Sequence, residues 1–224
     1  MKIAELFYSI QGEGSLVGVP SVFIRTSGCN LRCAWCDTPY TSWQPEGTEL
    51  DLDRILDEVA ALGARHVVVT GGEPMIAPEI VALTWRLRTG GMHITIETAG
   101  TVFAPVACDL MSISPKLANS TPDDPRWSGQ HERLRIQPAV LAELMARYEY
   151  QLKFVIERAD DLDEVRALVA RLRADRERVI LMAEGTDSQR LRERGVWLAE
   201  VCKEEGFRFS PRLHVDLWGN RRGV

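Results

Sequence analysis

Short, nearly continuous apolar runs alternate along the chain with longer segments whose apolar residues recur every three or four positions. The short runs predict buried parallel strands, and the longer segments predict amphipathic helices. The predicted strands occupy residues 21–28, 66–73, 93–100, 109–116, 150–157, 178–185 and 207–214. The predicted helices occupy 51–62, which Gly63 ends, 160–174 and about 188–205. This alternation indicates an α/β fold, with helices packed on a mainly parallel sheet.

The predicted strands end in small or polar residues, as in "TSGC", "TGGEP", "ETAG", "SPK" and "AEG". Parallel strands bind ligands at their carboxyl ends, both in open sheets and in barrels. We therefore expect the functional site along one edge of the sheet, with the cysteine-rich segment directly after the first of the predicted strands.

The chain shows no repeat, low-complexity tract or clear linker, so residues 1–224 are expected to form a single domain. Residues 117–133 are rich in Pro, Asp, Ser and Gly and are expected to leave that domain as a surface excursion. The residues leave open whether this excursion is a floppy loop or a functional lid.

Composition and charge limit the classes of function. The 224 residues are 45% hydrophobic and 26% charged, which is ordinary for a soluble globular protein. The start at Met1 has no signal-peptide pattern, and no segment approaches the roughly 20 apolar residues of a membrane span. We therefore expect a cytoplasmic protein with reduced thiols. A net charge of −5 without a basic face argues against nucleic acid as a partner.

Three of the five cysteines, Cys29, Cys33 and Cys36, lie within eight residues with the spacing C-x3-C-x2-C. Reduced thiols at this spacing favour a metal site or catalysis over disulfides. A structural zinc site has four protein ligands, and a thioredoxin-like redox pair has no need of Cys29. An iron–sulfur cube held by three thiolates keeps one iron open for a small molecule. The distant Cys108 and Cys202 are expected to be packed thiols.

A second motif, "TGGEP" at 70–74, follows a predicted strand. Its two glycines would allow a ligand to approach the backbone closely, and Glu73 could accept hydrogen bonds from an ammonium group. Taken alone, the motif is equally typical of a strand-to-helix turn.

The cysteine spacing, with Trp35 before its last cysteine, resembles the cluster loop of radical S-adenosylmethionine (SAM) enzymes, and "GGEP" resembles their SAM-binding motif. Several further segments are similar to the 7-carboxy-7-deazaguanine synthase family. They are "YSIQGEG" (8–14), "VFIRTSGCNLRCAWCDT" (22–38), "SPK" (114–116), "LKFVI" (152–156) and "RLHVDLWGNRRGV" (212–224). This resemblance spans the whole chain and implies a partial, incomplete TIM-like barrel of mainly parallel strands with outer helices.

The resemblance implies a carbon–nitrogen lyase that converts 6-carboxy-5,6,7,8-tetrahydropterin to 7-carboxy-7-deazaguanine with loss of ammonia, in the biosynthesis of 7-deazapurines such as queuosine. In that family a [4Fe-4S] cluster binds SAM at its open iron and reduces it to release a 5′-deoxyadenosyl radical. The implied partners are Mg²⁺, the small pterin substrate, an electron donor of the flavodoxin or ferredoxin type, and a second copy of the chain in a homodimer.

The resemblance also implies site residues by position. Cys29, Cys33 and Cys36 would bind the cluster, and Thr38 would bind Mg²⁺. The implied substrate-binding residues are Ile10, Gln11, Gly12, Glu13, Arg25, Thr70 and Asn220. The implied SAM-binding residues are Gly72, Glu73, Ser114, Pro115, Lys116, Met182, Ala183, Glu184 and Gly185. No catalytic side chain is implied beyond the cluster and SAM.

Some of these residues can also be interpreted on their own chemistry. Glu13 could accept two parallel N–H bonds from the amino-pyrimidinone edge of a pterin, or be a surface acid. Arg25 lies in an apolar strand and needs an anion, which is either the substrate carboxylate or a structural partner. Lys116 follows a buried strand, which favours a functional role. The residues leave open whether His214 faces the pocket or the core.

The chain departs from the family pattern at three places. Ala99 stands where an asparagine is common, residues 182–185 lack a "QPM"-like stretch, and Asn220 stands where some members have a C-terminal proline. Two alternatives remain open for the function. One is a small activase that makes a glycyl radical on a partner protein, which has no need of "YSIQGEG". The other is a zinc-stabilised binding domain without chemistry.

Overall fold

The computed structural model describes residues 1–224. Its strands are β1 (Lys2–Ile10), β2 (Pro20–Thr26), β3 (Thr48–Glu49), β4 (His66–Gly71), β5 (His93–Thr98), β6 (Leu110–Ile113), β7 (Tyr150–Ile156), β8 (Val179–Ala183) and β9 (Arg208–Ser210). They form one sheet in the order β3-β1-β2-β4-β5-β6-β7-β8-β9. β1 is antiparallel to β2 and β3, and all neighbours from β2 to β9 are parallel. Because β3 and β9 remain at opposite edges, the barrel is unclosed, as predicted.

The helices are α1 (Pro39–Ser42), α2 (Leu52–Leu62), α3 (Ile80–Thr89), α4 (Pro125–Leu134), α5 (Pro138–Arg147), α6 (Asp161–Leu172), α7 (Ser188–Glu205) and α8 (Leu213–Trp218). The seven predicted strands and three predicted helices are confirmed, with ends shifted by a few residues. The strand predicted at 207–214 is much shorter, because β9 covers only Arg208–Ser210 and α8 begins at Leu213. β1, β3 and the remaining helices were not predicted. None of the helices is both long and apolar enough to cross a bilayer.

Helix α2 illustrates how local sequence sets the ends of the elements. The Asp51 carboxylate accepts a hydrogen bond from the Arg54 backbone N–H at 2.8 Å, which caps the first turn. Gly63 ends the helix with φ +69°, a left-handed conformation that favours glycine. The predicted helix end at Gly63 is therefore confirmed.

The parallel strands present two chemically different faces. On β7, Leu152 and Phe154 belong to the apolar core beneath the helices, whereas Lys153 lies on the opposite face. On β5, Ile96 belongs to the same core and Glu97 to the opposite face. Successive side chains in a strand point to opposite faces, so this alternation makes the concave face of the sheet polar.

Residues 117–133 leave the sheet as expected, but they are largely helical rather than a floppy loop, and Leu117, Ser120 and His131 are buried. A short 3-10 helix covers Ala118–Ser120, and most of α4 follows it. His131 is the only buried residue of α4. The Asp124 carboxylate caps the start of the helix by accepting a hydrogen bond from the Arg126 N–H at 3.0 Å.

Replacement of Phe154, a fully buried core side chain, tests the assignment of the apolar face. Phe154→Ala should lower the free energy of unfolding by about 3–5 kcal/mol, because a large cavity is left in the core. Phe209→Ala is the control, since Phe209 is 40% exposed. Urea denaturation measures both values. Equal losses in the two variants would contradict the assignment.

Candidate active site

A cavity of about 480 Å³ opens at the carboxyl ends of the parallel strands. Its volume lies in the range of small-molecule sites. Residues that end or directly follow β4, β5, β6 and β8 line it, as does the cysteine-rich segment after β2. Every site residue implied by the sequence resemblance lines this cavity except Glu73 and Pro115.

Glu73 lies behind the wall of the cavity and is 1% exposed. One carboxylate oxygen accepts hydrogen bonds from Thr98 Oγ1 at 2.7 Å and from the Met75 N–H at 3.1 Å. The other oxygen accepts from the Ala99 N–H at 2.8 Å. Burial raises the pKa of Glu73 despite these donors. Glu73 thus holds the turn that ends β5 and does not itself line the cavity, so its contact with SAM stays a prediction.

The two glycines of "TGGEP" allow a neighbouring stretch of backbone to pack closely against the motif. Gly71 has φ +136°, and a Cβ there would lie 2.1 Å from the Thr26 carbonyl oxygen. A Cβ on Gly72 would lie 2.1 Å from the Gly28 carbonyl oxygen. The Gly72 N–H donates to Thr26 O at 3.1 Å, and the N–H of Glu73 donates to Gly28 O at 2.9 Å. The motif therefore packs directly against the residues that precede Cys29.

The cluster loop, residues 29–36, brings all three predicted cysteine ligands to the cavity. Burial raises the pKa of Cys29 to about 11 and that of Cys33 to about 12, so both thiols are protonated near neutral pH. Binding iron must therefore displace their protons. Cys36 Sγ lies 3.3 Å from Ser42 Oγ.

The arrangement of the thiols fits an iron–sulfur cube better than a zinc ion. No group of three or more His, Cys, Asp or Glu side chains converges on a position for a single ion. A cube takes each thiolate on a different iron, so its ligands face one volume without meeting at one point. Three thiols that line the same cavity meet that requirement.

A hydrogen-bonded network of charges forms the wall beside the cluster loop. Lys153 Nζ donates to Glu13 Oε2 at 2.7 Å and to Glu97 Oε2 at 2.9 Å. Arg212 Nε donates to Glu13 Oε1 at 3.0 Å, and Arg212 Nη2 donates to Asp37 Oδ2. The network thus joins the N-terminal segment, two central strands, the residue directly after the cluster loop and the segment after β9.

Ion pairing fixes the protonation states of this network. Burial by itself would raise the pKa of Glu13, but the nearby Lys153 and Arg212 outweigh it and hold that pKa well below its usual range. Burial would lower the pKa of Lys153, and Glu13 and Glu97 reverse the effect and raise it. The pKa of Asp37 is lowered because Arg212 outweighs the effect of burial. We therefore assign Glu13 and Asp37 as carboxylates and Lys153 as an ammonium.

Arg25 is not a lone buried charge. Its Nε donates to Glu5 Oε2 at 2.7 Å, and Tyr40 Oη donates to the same oxygen at 2.8 Å. The structural ion pair that the sequence left open is therefore present. Arg25 also lines the cavity, and no hydrogen bond within the chain uses its Nη1 or Nη2. Its terminal nitrogens remain able to bind an anion.

Two of the implied SAM-binding residues are held by neighbouring charges or carbonyls. Glu184 pairs with Arg194, and its carboxylate lies 3.6 Å from Arg190 Nη2. Lys116 Nζ donates to Ser114 O at 3.0 Å and to Ser114 Oγ at 2.9 Å. Both side chains still line the cavity.

His214 faces the cavity, which resolves the alternatives left by the sequence. Its ring lies so close to Gly12 that a Cβ there would be 2.0 Å from His214 Nδ1. Burial lowers its pKa below the usual value. Asn220 also lines the cavity, in the segment after α8. Of the other cysteines, Cys202 is buried and Cys108 is partly buried against the core, as expected of packed thiols.

Sequence analysis missed Lys153, Glu97, Arg212 and Asp37. A signal for two of them was present, because Glu97 in "HITIET" and Lys153 in "YQLKFVI" are single charges inside apolar strands. The reasoning applied to Arg25 applies equally to them. Asp37 and Arg212 lie in irregular segments, where no sequence pattern predicts that they meet.

Comparisons with known proteins agree with this site. A model of the radical SAM superfamily matches residues 23–119, which include the cluster loop and "TGGEP". The 7-carboxy-7-deazaguanine synthase of Rhodopirellula baltica is 47% identical over 99% of this chain and 88% of the relative. That of Halobacterium salinarum is 45% identical over 98% of this chain and 91% of the relative.

The chain belongs to the 7-carboxy-7-deazaguanine synthase family. The crystal structure of QueE from Escherichia coli matches with a TM-score of 0.70 and 29% identity, over 95% of this chain and 94% of that one. SuiB from Streptococcus suis, at 14% identity and a TM-score of 0.56, shares the fold over 84% of this chain and 47% of that one. The family resemblance inferred from sequence is confirmed. Membership makes the chain a radical SAM enzyme that uses SAM and a [4Fe-4S] cluster, so the activase and zinc-domain alternatives are wrong.

The cysteine assignment predicts two classes of variant. Ala in place of Cys29, Cys33 or Cys36 should abolish turnover and leave little bound iron, because each thiolate holds one corner of the cube. Cys108→Ala and Cys202→Ala should retain about four iron and four sulfide per chain after anaerobic reconstitution. Iron and acid-labile sulfide assays measure the difference. Equal iron loss in the distal variants would refute the assignment.

Proposed function

We propose that this cavity converts 6-carboxy-5,6,7,8-tetrahydropterin to 7-carboxy-7-deazaguanine with loss of ammonia, and that residues 1–224 act as a single radical SAM domain. The observation that carries the proposal is the shared cavity, in which the three thiols of the cluster loop face the network of Glu13, Lys153 and Glu97. The three thiols alone would be compatible with many radical enzymes, whereas the charged network adds hydrogen-bonding groups that can select a heterocyclic substrate.

The ionised Glu13 is the proposed acceptor for the amino-pyrimidinone edge of the pterin. Each of its oxygens accepts one hydrogen bond from a cation, Lys153 on one side and Arg212 on the other. A carboxylate oxygen can accept a second bond, so two parallel N–H groups of the substrate can still be bound. Because the two cations hold Glu13 in place, little side-chain freedom is lost on binding.

Charge balance supports an orientation for the substrate. The network contains three acids, Glu13, Asp37 and Glu97, and two cations, Lys153 and Arg212, so its formal charge is −1. Such a wall repels the carboxylate of the substrate and attracts its N–H donors. Arg25, with its terminal nitrogens unused by the chain, is the proposed partner of that carboxylate.

Thr38 is the proposed protein ligand of Mg²⁺. It lines the cavity two residues after Cys36, and its Oγ1 lies 3.9 Å from Cys36 Sγ. Mg²⁺ commonly takes one or two protein oxygens and completes its octahedron with substrate oxygens and water. A single hydroxyl beside the substrate position fits this pattern.

The SAM-binding role is assigned to cavity residues at the strand ends, and Glu73, which holds the turn behind them, stays a proposed partner of the SAM amino group. These residues are Gly72, Ser114, Lys116, Met182, Ala183, Glu184 and Gly185. When bound, the cluster supplies the electron that cleaves SAM. The chain's own task is to hold SAM and substrate close together and to limit access of water. The remaining implied substrate residues, Ile10, Gln11, Gly12, Thr70 and Asn220, line the same cavity.

The proposed setting is cytoplasmic, with a flavodoxin-type or ferredoxin-type electron donor and a homodimeric assembly. All five cysteines are free thiols, which is consistent with a reducing compartment. Val196 is 72% exposed and Phe209 is 40% exposed, and apolar side chains of this kind are common at subunit interfaces.

The direct test of the reaction is an anaerobic incubation of the reconstituted chain with 6-carboxy-5,6,7,8-tetrahydropterin, SAM, Mg²⁺ and a one-electron reductant. We expect 7-carboxy-7-deazaguanine and ammonia in equal amounts, detected by mass spectrometry and an ammonia assay. SAM cleavage without a deazapurine would contradict the proposed substrate and leave the radical SAM assignment intact.

A substitution at Lys153 tests how Glu13 is used. Lys153→Met leaves Arg212 as the only cation bonded to Glu13 and removes the ammonium that orients Glu13 Oε2, so the carboxylate is held less well for the substrate. The KM for the pterin should rise at least about tenfold, while the Kd for SAM stays near the wild-type value. Lys203→Met is the control, because Lys203 is exposed on α7. Parallel weakening of pterin and SAM binding would speak against the assignment.

A further inference from the structure

Helix α4 buries a single residue, and that residue is a histidine. His131 is 1% exposed, while the rest of the helix faces solvent or is half-buried. A buried polar side chain needs hydrogen-bond partners, and His131 has one on each ring nitrogen. Its Nδ1 accepts from the backbone N–H of Arg32 at 3.2 Å, and its Nε2 lies 2.9 Å from Ser120 Oγ.

These contacts define the tautomer of the ring. Because the Arg32 N–H donates to Nδ1, Nε2 carries the proton and donates to Ser120 Oγ. The Ser120 hydroxyl donates in turn to Leu117 O at 2.6 Å. Burial also lowers the pKa of His131 to about 4, which keeps the ring neutral and able to accept near neutral pH.

The same segment holds the cluster loop on both sides of its most buried cysteine, Cys33. On one side the Arg32 N–H is bound by His131. On the other side the Ala34 N–H donates to Ser120 O at 2.8 Å, and Trp35 Nε1 donates to Asn119 O at 3.0 Å. The chain therefore fixes the backbone before and after Cys33 without using its sulfur.

A second contact on the same face of α4 reinforces the first. Trp127 lies one helical turn before His131, and the Arg32 guanidinium stacks over its ring at 4.6 Å from the centroid. Arg32 is thus held through its side chain by Trp127 and through its backbone by His131. His131 is therefore the only buried side chain of α4 that contacts the cluster loop.

We propose that His131 is a positioning residue for the iron–sulfur cluster, acting through the backbone N–H of Arg32. The neutral imidazole holds residue 32 so that Cys33 presents its sulfur to the cavity, and it keeps that N–H from turning toward the cluster. Outer-shell partners of this kind change metal affinity by roughly 10- to 100-fold. The inference rests on the proposed assignment of Cys33 as a cluster ligand.

The test uses two variants that replace opposite halves of the ring. In His131→Asn the amide oxygen can take the place of Nδ1 and accept from the Arg32 N–H. In His131→Gln the longer side chain reaches toward Ser120 and leaves the Arg32 N–H without an acceptor. His93→Gln is the matched control, because His93 starts β5 at the amino ends of the parallel strands, away from the cavity at their carboxyl ends, and its buried Nδ1 has no partner.

The primary measurement is the anaerobic rate of iron release to a chelator from the reconstituted proteins. We expect His131→Gln to release iron about tenfold faster than wild type, and His131→Asn to remain close to wild type. The electron paramagnetic resonance signal of the reduced cluster should change in His131→Gln and be restored in His131→Asn. Thermal unfolding of the cluster-free chains reports any general loss of stability.

Several outcomes would overturn the inference. They are a wild-type release rate in His131→Gln, equal rates in the Asn and Gln variants, or an equal increase in His93→Gln. Each of them leaves the proposed function standing as long as the wild-type chain holds iron and sulfide and makes the deazapurine. Absence of a cluster in the wild-type chain would instead remove the proposed function.

Discussion

The ammonium of Lys153, held between the carboxylates of Glu13 and Glu97, is the interaction on which the site depends. An unpaired charge on the concave face of this sheet would cost several kcal/mol, and removing one partner leaves the others buried and uncompensated. The two ion pairs of Lys153 join the segment after β1 to β5 and β7, although Glu13, Glu97 and Lys153 are far apart in sequence. A structural requirement, the pairing of a buried cation with carboxylates, thereby fixes the position of a carboxylate that the substrate can use.

The cluster loop is held from two directions by contacts of different kinds. On one side, Gly71 and Gly72 let the backbone of β4 pack against Thr26 and Gly28. On the other, the segment from Asn119 to His131 binds the loop by hydrogen bonds to main chain and indole groups. Glycines are required on the first side because no side chain fits, whereas polar groups are required on the second because buried N–H donors need acceptors.

Sequence alone predicted the parallel strands, the cysteines that line the cavity and the edge that carries the site, because these depend on local pattern. It missed the partners of Arg25 and Glu13. Glu5 and Lys153 come close to them only because of the order and register of the strands, and Arg212 only because of the path that the chain takes after β9. It also assigned Glu73 to SAM without predicting that the turn at Thr98 and Ala99 would donate hydrogen bonds to the same carboxylate. Pro115 likewise lies outside the cavity, while both of its neighbours line it.

The raised pKa values of Cys29 and Cys33 place a constraint on how the cluster loop keeps its shape. Protonated, buried thiols are weak hydrogen-bonding groups and cannot organise a loop by themselves. The Leu31 N–H donates to Cys29 Sγ at 3.3 Å, but most of the contacts that organise the loop are made to the backbone beside the cysteines, including that of the Trp43 indole, which donates to Cys33 O at 3.1 Å. Iron binding has to displace the protons of Cys29 and Cys33, whereas these backbone contacts do not depend on the state of the sulfur atoms.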